Sequence, residues 1–302
     1  MTQAKLEGKS KLEWQSKLVL LLVLPFAGAD VVLETHWWAV QAAPVATWTI
    51  GLSVLLGLVT WKLRAANSRG AIAGAAITAC LMFSTVTFPY KPWNTALMPV
   101  LAVALLAFVS TLLGRGKKER LGTAESRHGR SASQVAANLG VAAIVSSAFV
   151  QSMFIDSRWF AHDNFSPMLL FSLGLAALAE AAADTASSEV GQVFGGLPRM
   201  ITTLRKVEPG KDGAVSVAGT LAGVVAAAMV AGVGTLALRG DRTMFAISCA
   251  GGVFGLLFDS LLGATLEERG WLNNDAVNFL STCSAAAFAL GMLAVLPMFL
   301  KG

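Results

Sequence analysis

Apolar residues along this chain fall in long runs separated by short polar segments. The runs lie near residues 18–32, 46–61, 71–88, 95–113, 134–154, 167–186, 214–238, 243–264 and 276–299. Each is close to the length that an α-helix, rising 1.5 Å per residue, needs to cross ~30 Å of hydrocarbon. No strand pattern is evident. The pattern predicts an all-α fold, a polytopic transmembrane helical bundle of about nine spans. The shorter runs, such as the second, also suit tilted, interfacial or re-entrant helices. Residues 1–17 form a polar N-terminal segment. Residues 18–133 read as N-terminal membrane spans with a basic loop, and 134–302 as the membrane core that carries the chemistry. Ala27-Gly28-Ala29 has the small-residue spacing of a signal-peptidase site, but the long leader with Glu7 and Glu13 favours a retained first span.

Composition agrees with this reading. The chain is 55% hydrophobic and 14% charged, with a mean hydropathy of +0.64. A soluble domain carries roughly 25% charged residues, so lipid is the solvent that fits. The net charge of +5 does not indicate a nucleic-acid binder, because the cations are divided among the loops. With the N-terminus inside, eighteen of the 23 Lys and Arg fall in cytoplasmic segments. That bias follows the positive-inside rule and predicts a multi-pass protein of the cell (inner) membrane. Cys80, Cys249 and Cys283 fall within apolar runs and read as small core residues. His36, His128 and His162 are too scattered to suggest a zinc or haem site. Gly-x-x-x-Gly spacings at Gly70/Gly74, Gly219/Gly223 and Gly251/Gly255 mark close helix crossings, within one chain or in a homo-oligomer. Packing within the chain is the simpler reading.

The unusual polar residues gather at the ends of spans on one predicted face. Glu180, Asp184 and Ser188 share one face of the sixth span at i, i+4, i+8. Asp259 is a lone acid in the eighth. A carboxylate deep in a span costs ~2.5–3.5 kcal/mol on insertion scales unless it is paired or wet. Asp184 and Asp259 both approach the inside face, and oxygen ligands from two helices suit Mg²⁺, which is usually completed by substrate phosphates. Solvated helix-end acids, or an acid paired with Arg, are the simpler alternatives. The loop after the sixth span carries Arg199, Thr202, Thr203, Arg205, Lys206, Lys211, Asp212 and Gly213, the composition of a phosphate cradle and equally of a positive-inside loop. Gln134 with Asn138, and Asn274 with Asn278, place carboxamides at i, i+4 where two further spans begin. There they are able to bind a base, ribose or phosphate, or simply cap and link helices. The six cations of Arg115–Arg130 suit lipid headgroups, an anionic substrate or a plain topology signal. A nucleotide-binding P-loop is absent, since Gly8-Lys9-Ser10 follows Gln3 rather than Gly. His162-Asp163 reads as a solvated outer loop.

Four stretches resemble an integral membrane family that includes animal transmembrane protein nineteen and the plant phytyl-phosphate kinase. They are Gln134-Val-Ala-Ala-Asn138, Asp184-Thr-Ala-Ser-Ser-Glu189-Val-Gly191, Pro198-Arg-Met-Ile-Thr-Thr203 running on to Lys211-Asp-Gly213, and Asp259-Ser-Leu-Leu-Gly-Ala-Thr265 with Asn274-Asp-Ala-Val-Asn278. The first 110 residues resemble the family in hydropathy only. The family's Asp-Thr-Trp-Ala-Ser-Glu pattern here has Ala186 in place of the aromatic and keeps both carboxylates. The resemblance implies CTP-dependent phosphorylation of an isoprenyl (phytyl or geranylgeranyl) monophosphate to the diphosphate. Mg²⁺ would sit at Asp184, Asp259 and Glu189. Arg199, Arg205, Lys206 and Lys211 would neutralise the transferring group, and Gln134, Asn138, Ser188, Asn274 and Asn278 would contact nucleotide or phosphate. A CTP-dependent cytidylyltransferase or polyprenol kinase, and a non-enzymatic lipid or ion transporter, are the competing classes.

Overall fold

In the computed structural model, residues 12–122, 128–155 and 167–299 are described. Lys5, Lys9, Lys11, Arg127, Arg158, His162, Asp163 and Lys301 lie outside them. The described residues form eleven α-helices: α1 (Glu13–Gln41), α2 (Ala43–Lys62), α3 (Ser68–Ser84), α4 (Leu97–Leu112), α5 (Arg115–Leu121), α6 (Ala132–Ser146), α7 (Ala148–Ile155), α8 (Phe171–Phe194), α9 (Val217–Ala237), α10 (Arg242–Leu262) and α11 (Asn274–Phe299). Every predicted apolar run falls on one of them, and α6 and α7 share the fifth. Six helices, α1, α2 and α8 to α11, are long and apolar enough to cross a membrane. The pair α6–α7 bends by 49° at Ser146-Ser147. Ser147 Oγ donates to the Ile144 carbonyl and accepts from the Val150 amide, which ends one helix and starts the next. Helices α3 and α4, with 17 and 16 residues, are the short ones.

The first helix runs nine residues beyond its predicted end at Val32. Hydropathy stops at the acids, but no helix breaker occurs until Ala42, where Pro44 opens α2. The expectation of no strand needs correcting too. The loop between α8 and α9 folds into a minimal antiparallel pair, β1 (Arg199–Met200) with β2 (Ala214–Val215). Two-residue strands carry no hydropathy signal.

Helix α8 is the hub. Of its most apolar stretch, 78% is buried, against 17–50% for the other five long helices, and it packs against α4, α6, α9, α10 and α11. Its alanines leave a smooth surface onto which backbones can close. A Cβ at Gly223 of α9 would lie 2.9 Å from the Ala183 carbonyl oxygen, and one at Gly252 of α10 would lie 2.7 Å from Ala179 Cβ. Gly219 and Gly251 also press on α8, while Gly70 presses on the Arg130–Ser131 backbone. All three Gly-x-x-x-Gly spacings therefore serve packing within the chain. Helices α1, α2 and α3 form a second layer, joined to the hub through α6. Cys80 is buried, Cys249 and Cys283 are half-buried, and all three are free.

At one end of the bundle the start of α1 is tied to the loop before α11. Gln15 donates to the Trp271 carbonyl and accepts from the Asn273 amide, while Asn273 Nδ2 donates to the Leu12 carbonyl and Ser16 Oγ. Gly252→Val should lower stability by about 1–3 kcal/mol through overpacking, measured by unfolding in detergent. Gly28→Ala, with nothing within 4 Å of the new methyl, should be neutral or slightly stabilising.

Candidate functional site

The same end of the bundle holds a polar cavity of about 880 Å³. Its floor is made by the last turns of α8 and α10. Asp184 and Ser188 stand on one face of α8, a turn apart, and Asp259 of α10 lines the same cavity and faces Asp184. A carboxylate oxygen only accepts, so unless a proton lies between them neither acid offers the other a donor. Asp259 Oδ1 is buried without a hydrogen-bond partner, as is Gln192 Oε1. A buried acceptor left unpaired is costly, and a pair of facing acids is relieved by a proton or a cation between them. Glu180 lies one turn deeper, 1% exposed, within reach of Ser281. Among the described residues no three His, Cys, Asp or Glu side chains converge as a metal-binding group. Two carboxylates with an orphaned oxygen nevertheless fit Mg²⁺, whose remaining ligands are commonly waters and substrate phosphates.

The walls come from four other segments. The helix α10 passes into a π-helical turn, Gly263–Glu267, a wider backbone form often found at functional sites. The hairpin docks there: Gly213, at φ +76°, lies so close to Ala264 that a Cβ would collide with its backbone nitrogen. That contact brings Lys211, Asp212 and Gly213 to the cavity, where Lys211 pairs with Glu268 at 2.7 Å. Asn274 and Asn278 at the start of α11 are linked at 3.5 Å. Gln134 closes a capping box with Ser131, and its own carbonyl accepts from Asn138 Nδ2.

Of the sixteen residues expected at the site, eleven line the cavity: Gln134, Asn138, Asp184, Ser188, Glu189, Lys211, Asp212, Gly213, Asp259, Asn274 and Asn278. Arg199, Thr202, Thr203, Arg205 and Lys206 do not. They are exposed on the outer side of the hairpin, where Arg199 donates to the Leu204 carbonyl. Loop composition brought them into the expected cradle, but the β1–β2 pairing turns them away. Glu189 lines the cavity yet is already engaged. Its Oε1 accepts from Thr111, and its Oε2 from the Nζ of Lys118, which is 1% exposed. Lys118 Nζ also donates to the Ser110 and Thr111 carbonyls at the end of α4, so all three of its protons are used. The structure thus holds Glu189 as half of a buried ion pair, not as a third carboxylate beside Asp184 and Asp259.

Of the six cations in Arg115–Arg130, Arg130 is the one that faces Asp184. Its Nη2 donates to Thr185 Oγ1 at 3.2 Å. The backbone of Arg130 is pinned on both sides to the α2–α3 loop, through Ala65 and Asn67 at 3.0 Å each. Its only sequence signal was its place immediately before the Gln134–Asn138 stretch.

The family model described as an integral membrane protein family, DUF92, matches residues 51–286. The chain belongs to that family. The DUF92 match reaches back to α2, well before the motifs, and takes in every cavity residue named above. A membrane protein of Methanocaldococcus jannaschii is 45% identical over 36% of this chain and 45% of its own length, so the chain matches under half of that relative. A Synechocystis membrane protein is 34% identical over 64% of this chain and 72% of its own. The chloroplastic protein VTE6 of Arabidopsis thaliana is 27% identical over 77% of this chain and 72% of its own. No solved structure matches.

Removing one partner of the buried pair should be expensive. Lys118→Met should cost about 3–5 kcal/mol, and Lys118→Met with Glu189→Leu should recover most of it. Unfolding of the purified variants in detergent measures both. Equal stability of the single and double variants would contradict an ion-pair role for Glu189.

Proposed function

We propose that this DUF92 protein is a membrane-bound phosphotransferase, a prenyl-phosphate kinase that uses CTP to convert an isoprenyl monophosphate, phytyl or geranylgeranyl, to its diphosphate. The observation that carries the proposal is the Asp184–Asp259 pair at the floor of a polar cavity, with an acceptor oxygen left unpaired. The motif resemblance to the plant phytyl-phosphate kinase supplies the reaction, and the likeness to chloroplastic VTE6 supports it.

On this reading Asp184 and Asp259 hold Mg²⁺, which when bound screens the charge of the nucleotide phosphates. Arg130 and Lys211 line the same cavity and replace Arg199, Arg205 and Lys206 as the cations that meet the transferring group. Phosphoryl transfer depends mainly on alignment and charge stabilisation. An acceptor that is already a phosphate is nucleophilic without a general base, consistent with a cavity lined by carboxamides, hydroxyls and acids. Asn274, Asn278, Asn138 and Ser188 are the polar contacts available to nucleotide and phosphate. The face of the bundle that carries the cavity is, by the distribution of Lys and Arg, the cytoplasmic one.

Purified protein given geranylgeranyl phosphate and labelled CTP should release CDP and the diphosphate, whereas a cytidylyltransferase would release pyrophosphate. Asp184→Asn and Asp259→Asn should each lower the rate by about a hundredfold or more, and chelation of divalent cations should stop the reaction. Full diphosphate formation by either variant would overturn the role given to the pair.

A further inference from the structure

A second cavity, of about 410 Å³, lies between α2, α3, α4 and α6. Its walls are apolar, with Leu56, Val100, Val103, Ala104, Phe108 and Leu139 among them. It follows α4 from Val100 to Leu112, roughly 18 Å at the helical rise. One end is charged, with Arg64, Arg115 and Arg130 at the rim. Arg130 and Asn138 line both this slot and the polar cavity, so the two spaces meet at the residues facing Asp184.

We infer that the slot is the binding site for the tail of a single-chain prenyl phosphate, and that Arg130 clamps the acceptor phosphate where slot and polar cavity join. This rests on reading the polar cavity as the phosphoryl-transfer site. Three observations favour this occupant. The volume is at the low end of small-molecule sites, ~300–1,000 Å³, which suits one chain and not a two-tailed phospholipid. The charge is confined to one end, complementary to an amphiphile with an anionic head. The guanidinium is a planar fork matched to phosphate oxygens; with its backbone pinned through Ala65 and Asn67, and one side-chain hydrogen bond to Thr185 among the described residues, Arg130 is positioned without being saturated. Chain-length selectivity then belongs to the slot's narrow places. At Gly74 a Cβ would meet nothing nearer than Val135 Cγ1 at 3.7 Å, so a larger side chain there has room to start and then enters the slot.

The test uses the full-length protein in detergent and a diazirine-bearing geranylgeranyl phosphate as the probe. Photolabel should map to α3 and α4. Gly74→Leu and, independently, Ala104→Leu should lower labelling at least about tenfold, the effect of losing two or so methylene contacts. Where turnover is measured, both should shift preference by a similar factor towards a five-carbon acceptor. Geranylgeraniol should compete more weakly than geranylgeranyl phosphate in the wild type, and the difference should vanish in Arg130→Ala. Label confined to helices other than α2, α3, α4 and α6 would overturn the assignment. So would full labelling in whichever of the two filling variants folds, or equal competition by phosphatidylglycerol vesicles. Labelling in the slot without diphosphate formation from CTP would sink the proposed reaction and leave the slot standing. Diphosphate formation with unchanged chain-length preference in the filled variants would sink the slot alone.

Discussion

The close approach of five helices to α8 is the constraint on which the rest depends. In lipid there is little hydrophobic drive to bring helices together, so contact must come from backbone fit and dispersion. The alanine surface of α8 provides that fit. Glycines of α9 and α10 press against it at distances that no side chain would tolerate. Because α10 sits so tightly, Asp259 is carried to Asp184, and the acids meet through helix geometry with no local loop to aim them. The glycines at 251, 252 and 255 and the acid at 259 belong to one device.

That device holds charge where charge is unwelcome. Glu180 is buried, Asp184 and Asp259 are half-buried at the cavity floor, and the cation that faces Asp184 comes from outside the hub, on the segment leading into α6. The Lys118–Glu189 pair shows what the fold does with a carboxylate it means to satisfy. Each oxygen has a donor, and the ammonium also seals two carbonyls at the end of α4. The nearby Asp184–Asp259 pair, one acid on α8 and one on α10, is left with Asp259 Oδ1 unpartnered. Natural folds rarely leave such a group without a use, and the contrast between neighbouring acids is what distinguishes the site from ordinary packing.

Much of this was legible in the chain. Every apolar run became a helix, and the i, i+4, i+8 spacing put Glu180, Asp184 and Ser188 on one face, as helical periodicity requires. Asp259 stood out as a lone acid in an apolar run. What was not legible is direction and pairing. The loop after α8 is basic throughout, and composition cannot tell which cations a two-residue hairpin turns inward; Lys211 faces the cavity while Arg199 and Lys206 face away. Glu189 and Lys118 are 71 residues apart, with nothing in either neighbourhood to announce the other. Arg130 was hidden among like charges, because its role comes from backbone bonds to Ala65 and Asn67, contacts between segments far apart in the chain.

The two layers of the bundle acquire a joint meaning at Arg130 and Asn138. An amphiphilic acceptor poses a problem of solvents: its tail belongs in hydrocarbon and its phosphate in water, and chemistry on the phosphate must not require dragging either into the wrong phase. Here an apolar slot between α2, α3, α4 and α6 and a polar cavity in the α8–α11 layer meet at the start of α6, the helix that packs on both layers. An acceptor bound across that junction keeps each end in its own medium, and only the phosphate crosses to the carboxylates. The short helices α3 and α4 line the slot directly below its charged rim. Their limited length, 17 and 16 residues, sets how much tail the slot can hold.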